Sequence, residues 1–142
     1  MRVYIASKYY EYDINREIFN RLAQNGISSF LPETINKFET SIDTAAEIRD
    51  ICINEIKQST VLLAIDAKEA FGSDVGWEIG YAYVLKTECN HQIEIVNLQL
   101  NEKLSRIRAM NDPCFNYISS TIDDMVDYLV KRQSMENQKN CR

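Results

Sequence analysis

The 142-residue chain is poor in the residues that usually build metal sites and disulfide frameworks. It has one histidine and four cysteines, none of which forms a CxxC pair. This spacing fits no zinc site. Unpaired thiols are typical of a reducing environment. We therefore predict free cysteines, a cytoplasmic location and no metal.

Long apolar runs and an excess of positive charge are also missing. No run approaches the roughly 20 apolar residues that a membrane helix needs, and the first residues, "RVYIAS", show a strand pattern rather than a secretion signal. The net charge of −5 argues against general binding to a phosphate backbone. We therefore expect neither a membrane nor a nucleic acid polymer as partner.

The length suits one domain with one core, which we assign to residues 1–134, followed by a polar tail at 135–142 that we expect to fray. Apolar strand patterns alternate with helical ones. The predicted strands are "VYIA", "ISSFLP", "TVLLAID", "HQIEIVNL" and "CFNYISS". The predicted helices are Arg16–Gln24, a helix capped by Ser41 or Asp43 that ends near Gln58, one from the glycine-rich segment to Lys86, Asn101–Met110, and Ile122–Gln133 capped by Ser120 or Thr121.

This alternation predicts parallel strands joined by right-handed crossovers. We expect an α/β fold, a three-layer doubly wound (flavodoxin-like, Rossmann-like) five-stranded parallel sheet with strand order 2-1-3-4-5. Such sheets bind ligands beyond the carboxyl ends of the strands, where the strand order reverses. The segments that meet there are "IASKYY" after strand one and "DAKEAFGSDVGWE" after strand three.

The second of these segments contains an unusual helix start, "FGSDVGWEIGYAYVLK". It has no GK[ST], and its glycines recur every fourth residue rather than as GxGxxG, so it matches neither phosphate-binding loop. We expect Gly76 and Gly80 to let the helix lie close to the sheet, and Gly76 to leave room for a ligand. Asp74 and Glu78 are either solvated helix residues or, at a pocket, a pair of titratable groups with different pKa values.

Four stretches together resemble the nucleoside 2-deoxyribosyltransferase family, which includes related hydrolases of deoxynucleoside monophosphates. They are "VYIAS", "FLPE", "IKQSTVLLAID" and above all "DVGWEIGYAYVLK". The resemblance covers roughly Arg2 to Lys86, and the core "GWEIGYA" is its most specific part. It implies no cofactor.

The resemblance implies a role for each matching position. Glu78 matches the glutamate that attacks the anomeric carbon of the sugar and forms a covalent deoxyribosyl intermediate. Tyr4 matches the tyrosine that orients this nucleophile. Ser7, Lys8 and Tyr9 match the loop that contacts base and sugar, where the ring of Tyr9 or Tyr10 could stack on the base.

Two positions depart from the family pattern. The family's aspartate on the second helix, which contributes to base protonation or sugar contacts, is replaced by Cys52, with Asp50 and Asn54 as nearby polar substitutes. The position six residues before Glu78 carries glycine, where transferases have a sugar-binding aspartate and monophosphate hydrolases a phosphate-binding serine. Asp74 in this role favours a free 5′-hydroxyl, and Ser73 with Lys8 favours a phosphate.

Several functions therefore remain open from the sequence. The preferred hypothesis is transfer of a deoxyribosyl group between nucleobases. The alternatives are a deoxynucleoside 5′-monophosphate N-glycosidase, a non-catalytic nucleotide sensor, and a Toll/interleukin-receptor-like hydrolase of nicotinamide nucleotides. The resemblance also implies a homo-oligomer, in which "NDP" (Asn111–Pro113) is either a donor to the neighbouring subunit's site or a plain turn.

Overall fold

The computed structural model describes residues 1–8, 11–35, 41–68, 70–101, 108 and 110–140. Five strands form one sheet: β1 (Arg2–Ala6), β2 (Ser28–Phe30), β3 (Val61–Asp66), β4 (Glu94–Gln99) and β5 (Tyr117–Ser119). The described ranges contain the helices α1 (Tyr12–Gln24), α2 (Ile42–Gln58), α3 (Ser73–Glu88) and α4 (Ile122–Asn140), and short 3-10 helices at Pro32–Thr34 and Asp112–Cys114. No helix in these ranges has the length and apolar content to cross a membrane.

The sheet is parallel throughout, in the order β2-β1-β3-β4-β5. The predicted fold class and strand order are therefore confirmed. Every residue of the central strand β3 is buried, because helices cover both faces of the sheet, as its uninterrupted apolar sequence predicts.

Side chains of β1 alternate between two hydrophobic cores. Val3 and Ile5 pack with residues of α1 and α4 on one face of the sheet. Tyr4 and Ala6 pack with residues of α2 and α3 on the other face. This alternation, which follows from the two-residue period of a strand, directs Tyr4 towards the helix that carries Glu78.

The observed first residues of the helices correct one prediction and decide between two predicted caps in two other cases. α1 begins at Tyr12, before the expected Arg16, and its N-cap is Glu11 rather than Asp13. Thr44 N donates to Ser41 Oγ at the start of α2, so Ser41 is the cap. Asp124 N donates to Thr121 Oγ1 at the start of α4, which selects Thr121 over Ser120.

Helix α3 also differs from expectation at its start. Its N-cap is Gly72 and no side chain caps it, so Ser73 and Asp74 lie inside the first turn with their side chains available for other contacts. A Cβ at Gly80 would meet no atom within 4 Å, and one at Gly76 would meet only the side chain of Asn111, at 3.8 Å. The prediction that these glycines bring the helix close to the sheet is therefore wrong.

Other boundaries move by a few residues. α1 ends at Gln24 as predicted, and Gly26 follows its C-cap with the positive φ of 68° that glycine readily adopts. α4 continues through the expected tail to Asn140. The predicted helix at 101–110 falls mostly on residues 102–107 and 109, outside the described residues. "NDP" belongs to the second 3-10 helix region, before β5.

Candidate active site

A cavity of about 810 Å³ opens at the point where the strand order reverses. Four segments line it: Ser7 and Lys8 after β1, residues Leu31, Pro32, Glu33 and Ile35 after β2, residues Ala45, Ile48, Arg49 and Cys52 of α2, and residues 72–75, 77 and 78 around the start of α3. Its position agrees with the prediction from the strand order, and its size suits a small organic ligand.

Glu78 and Tyr4 meet in this cavity. The Tyr4 hydroxyl donates a hydrogen bond to Glu78 Oε1, with 2.5 Å between the oxygens. Tyr4 is fully buried and Glu78 is partly buried. The hydrogen bond holds the carboxylate towards the sheet, while Glu78 still lines the open cavity.

The surroundings of Glu78 raise its pKa to near neutral pH. Burial raises the pKa of Glu78 to about 7, the negative charge of Asp74 adds to this rise, and the hydrogen bond from Tyr4 opposes it. Burial, together with the charge of Glu78, raises the pKa of Tyr4, so Tyr4 stays a neutral hydroxyl and a hydrogen-bond donor. A carboxyl group with such a pKa in a cavity is typical of a reactive site.

Cys52 lies beside this pair and lines the cavity. Burial raises the pKa of its thiol, and the thiol interacts with Tyr4, so at neutral pH it is a neutral group. Asp50 does not substitute for the family's aspartate in the described geometry. It is exposed and pairs with the neighbouring Arg49 at 2.8 Å, and it does not line the cavity. Asn54 is exposed and also lies outside the cavity lining.

The remaining predicted residues differ in whether they line the cavity. Ser7, Lys8, Ser73 and Asp74 all line the cavity. Gly76 is not among the lining residues and lies beside the side chain of Asn111, so its role in leaving room for a ligand stays a prediction. Tyr9 and Tyr10 lie outside the described residues.

A buried carboxylate fixes the loop that leads into α3. Asp66 is fully buried at the end of β3, where it accepts hydrogen bonds from Phe71 N (2.9 Å), Asn97 Nδ2 (3.0 Å) and Arg108 Nη1 (2.8 Å). The Arg108 guanidinium also stacks 4.1 Å from the centre of the Phe71 ring. These contacts join β3, β4 and the start of α3, and so help to position Asp74 and Glu78.

Sequence reasoning missed both Asp66 and Glu33 as site-related residues. Asp66 carried a signal, because it is a charged residue at the end of an otherwise apolar strand. Glu33 stood in the quoted "FLPE" but received no role. Its position after β2 places it at the carboxyl edge of the sheet, beside the segment that follows β1.

Fold and site together define a parallel α/β domain with a tyrosine-bound carboxyl group at its switch point. In the described ranges, no cluster of three or more His, Cys, Asp or Glu residues suits a metal ion. Neither a protein-family model nor a curated protein matches the chain.

Solved structures with this fold include a 2-deoxyribosyltransferase from Bacillus psychrosaccharolyticus. The two share 16% identity over 90% of this chain and 92% of that one, with a TM-score of 0.76. A conserved protein from Enterococcus faecalis V583 shares 16% identity over 94% and 98% of the chains (TM-score 0.68). A 2-desoxiribosyltransferase from Leishmania mexicana shares 13% identity over 92% and 97% (TM-score 0.62).

Proposed function

We propose that the chain cleaves the N-glycosidic bond of 2′-deoxynucleosides and transfers the deoxyribosyl group to another nucleobase. The observation that carries this proposal is Glu78, held by Tyr4 in a cavity at the switch point with a pKa of about 7. The similarity of the fold to two proteins named as 2-deoxyribosyltransferases supports the choice of substrate class.

In the first step, the Glu78 carboxylate attacks C1′ of the deoxyribose. The C1′–N bond breaks, its electron pair stays on the base nitrogen, and the base takes up a proton as it leaves. In the second step, a nitrogen of the incoming base attacks C1′, loses its proton and releases the Glu78 carboxylate. The transition states resemble an oxocarbenium ion, which a nearby negative charge stabilises.

Only the ionised form of Glu78 is a nucleophile. With a pKa of about 7, roughly half of the molecules carry it at neutral pH, and the fraction grows as the pH rises. The hydrogen bond from Tyr4 stabilises the ionised form and fixes its direction.

Asp74 favours a nucleoside over a 5′-monophosphate. It lies in the first turn of α3, one turn before Glu78, and lines the same cavity. A carboxylate there accepts a hydrogen bond from a free 5′-hydroxyl and repels a phosphate. Ser7, Lys8 and Ser73 also line the cavity and supply further polar contacts to the substrate.

A second copy of the chain is part of this proposal. α3 exposes the large side chains of Trp77, Tyr83 and Val84, and Trp77 also lines the cavity. A homo-oligomer in which a neighbour covers Trp77 would shield the intermediate from water and favour transfer over hydrolysis. Light scattering on the purified protein tests this arrangement, and a monomer at micromolar concentration would contradict it.

An exchange assay tests the reaction. The protein is incubated with 2′-deoxyinosine, with and without free adenine, and nucleosides and bases are separated by chromatography. We expect deoxyadenosine and hypoxanthine to form when adenine is present. Hypoxanthine release that is independent of adenine would indicate a hydrolase. No turnover of any deoxynucleoside or its monophosphate would overturn the proposal.

A further inference from the structure

The cavity contains a third carboxyl group, Glu33, to which the proposed reaction assigns no role. Glu33 follows β2 in the 3-10 helix Pro32–Thr34 and lines the same cavity as Glu78 and Asp74. The latter two belong to α3, whereas Glu33 comes from a separate segment.

The part of the cavity to which Glu33 belongs is mainly apolar. The segment after β2 and helix α2 contribute five apolar side chains to the lining: Leu31, Pro32, Ile35, Ala45 and Ile48. A nucleobase has flat apolar faces and a polar edge, so it suits a surface of this kind with a few fixed polar groups. The sugar must lie at Glu78, because its C1′ reacts there, which leaves this apolar region for the base.

The side chain of Glu33 is held in place by a buried amide. Asn15 is only 1% exposed, and its Nδ2 donates hydrogen bonds to Glu33 Oε1 and to the backbone oxygen of Lys8 at 3.0 Å. Asn15 therefore ties Glu33 to the segment after β1, whose Ser7 and Lys8 also line the cavity.

The other oxygen of Glu33 lacks a partner among the residues that the structure describes. Glu33 Oε2 is shielded from solvent and takes part in no hydrogen bond with these residues. A shielded carboxylate oxygen without a donor is costly, and a ligand can supply the missing donor. Because an ionised carboxylate only accepts hydrogen bonds, that ligand group must carry an N–H or O–H.

We propose that Glu33, positioned by Asn15, is a specificity-determining residue that accepts a hydrogen bond from an amino group on the edge of the nucleobase. This inference rests on the proposed function and deepens it, since it selects amino-bearing bases such as adenine and cytosine as the preferred substrates. A base whose edge carries no N–H, such as unsubstituted purine, leaves Glu33 Oε2 unpaired and is discriminated against.

Two substrates that differ only in this group test the inference. 2′-Deoxyadenosine carries the amino group, and purine 2′-deoxyriboside has hydrogen in its place. Both substrates are supplied with the same acceptor base at the same concentration, and we expect the wild-type protein to cleave deoxyadenosine with a kcat/KM about 10- to 100-fold higher than that of the analogue. In Glu33→Met, which keeps the length of the side chain but has no acceptor oxygen, the ratio should fall to within about threefold of one.

A matched control and a second variant exclude general effects of substitution and misfolding as causes of a changed ratio. Glu17→Met replaces an exposed glutamate of α1 outside the cavity lining and should keep the wild-type ratio. If circular dichroism shows that Glu33→Met does not fold, Glu33→Gln takes its place, and its ratio must lie below that of the wild type. A merely structural role would lower kcat/KM for both substrates equally, leave the ratio unchanged and overturn the inference.

Measured binding affinities distinguish failure of this inference from failure of the proposed function. If the wild-type protein turns over neither substrate, the proposed reaction is wrong, and calorimetry then measures the affinity for each compound. Tighter binding of deoxyadenosine that Glu33→Met abolishes would still support Glu33 as the residue that recognises the base. Equal affinities in the wild type would overturn that role as well.

Discussion

Two carboxyl groups of the β3–α3 unit, Asp66 and Glu78, have opposite surroundings. Asp66 is fully buried and accepts hydrogen bonds from a backbone amide, an asparagine and an arginine. Glu78 is partly buried and, within the described ranges, has one hydrogen-bond donor, Tyr4. Asp66 therefore has its acceptor capacity satisfied by the protein, whereas Glu78 keeps an oxygen for a ligand.

This difference separates an acid whose hydrogen bonds join parts of the fold from one that lines the cavity beside a single donor. The arginine and amide partners of Asp66 hold the loop before α3 in place. The pKa of Glu78 is raised to about 7 because burial is only partly compensated.

The comparison is tested most strongly by removing Glu78. We expect Glu78→Ala to lower kcat for base exchange at least about a thousandfold, because the nucleophile is lost, while circular dichroism stays that of the wild type. Chromatography of the released bases measures the loss. Glu88→Ala, an exposed position on the same helix, is the matched control, and comparable activity in the two variants would remove Glu78 from the mechanism.

Removing Asp66 should affect stability instead. Asp66→Ala removes the buried charged acceptor of three hydrogen bonds, from Phe71 N, Asn97 Nδ2 and Arg108 Nη1, and we expect the free energy of unfolding to fall by about 3–5 kcal/mol. Urea denaturation measures this change, with the exposed Asp50→Ala as control. A loss below about 1 kcal/mol would show that the network around Asp66 does not hold the fold.

Removing the Tyr4 hydroxyl tests how Glu78 is tuned. Because Glu78 must be ionised, wild-type kcat/KM should rise with pH through about 7 and be lost below it. The hydrogen bond from Tyr4 lowers the pKa of Glu78, so Tyr4→Phe should move this limb to higher pH and lower kcat about 10- to 100-fold. The exposed Tyr83→Phe should leave the profile unchanged, and a limb that moves to lower pH in Tyr4→Phe would contradict the assignment.

The smallest expected effect concerns Asp74. Its charge raises the pKa of Glu78, so Asp74→Asn should shift the acidic limb to lower pH, by a fraction of a unit because Asp74 is exposed. The same variant should raise KM for deoxynucleosides if Asp74 binds the 5′-hydroxyl. A pH–rate series at fixed ionic strength measures both, and an unchanged limb with an unchanged KM would leave Asp74 without a role.

Much of the fold was predictable because β3 is apolar along its whole length and the strands alternate with helical patterns. The first and last residues of the individual helices and strands were less predictable. The polar end of α4 reads as a tail, yet it is helical to Asn140, since helix formation in polar residues depends weakly on local sequence. The start of α3 is capped by Gly72 although Ser73 and Asp74 are better cap residues.

The site was predictable in part. The strand order placed the segments after β1 and β3 together, and the resemblance pointed to Glu78 and Tyr4. The acid that enters the cavity from outside α3 was not predictable. Asp50, the nearest acid in sequence, points away from the cavity because two residues turn a helix by about 200°, whereas Glu33 enters it from a different element.

The sequence alone determined the layers, the strand order and the edge of the sheet at which the cavity lies, because these follow from hydrophobic periodicity and from the handedness of crossovers. Tertiary structure decided which acids are satisfied and which are not. Hydrogen-bond partners such as Arg108 for Asp66, Asn15 for Glu33 and Tyr4 for Glu78 come from distant parts of the chain. Their geometry depends on how the helices pack on the sheet, which no local pattern encodes.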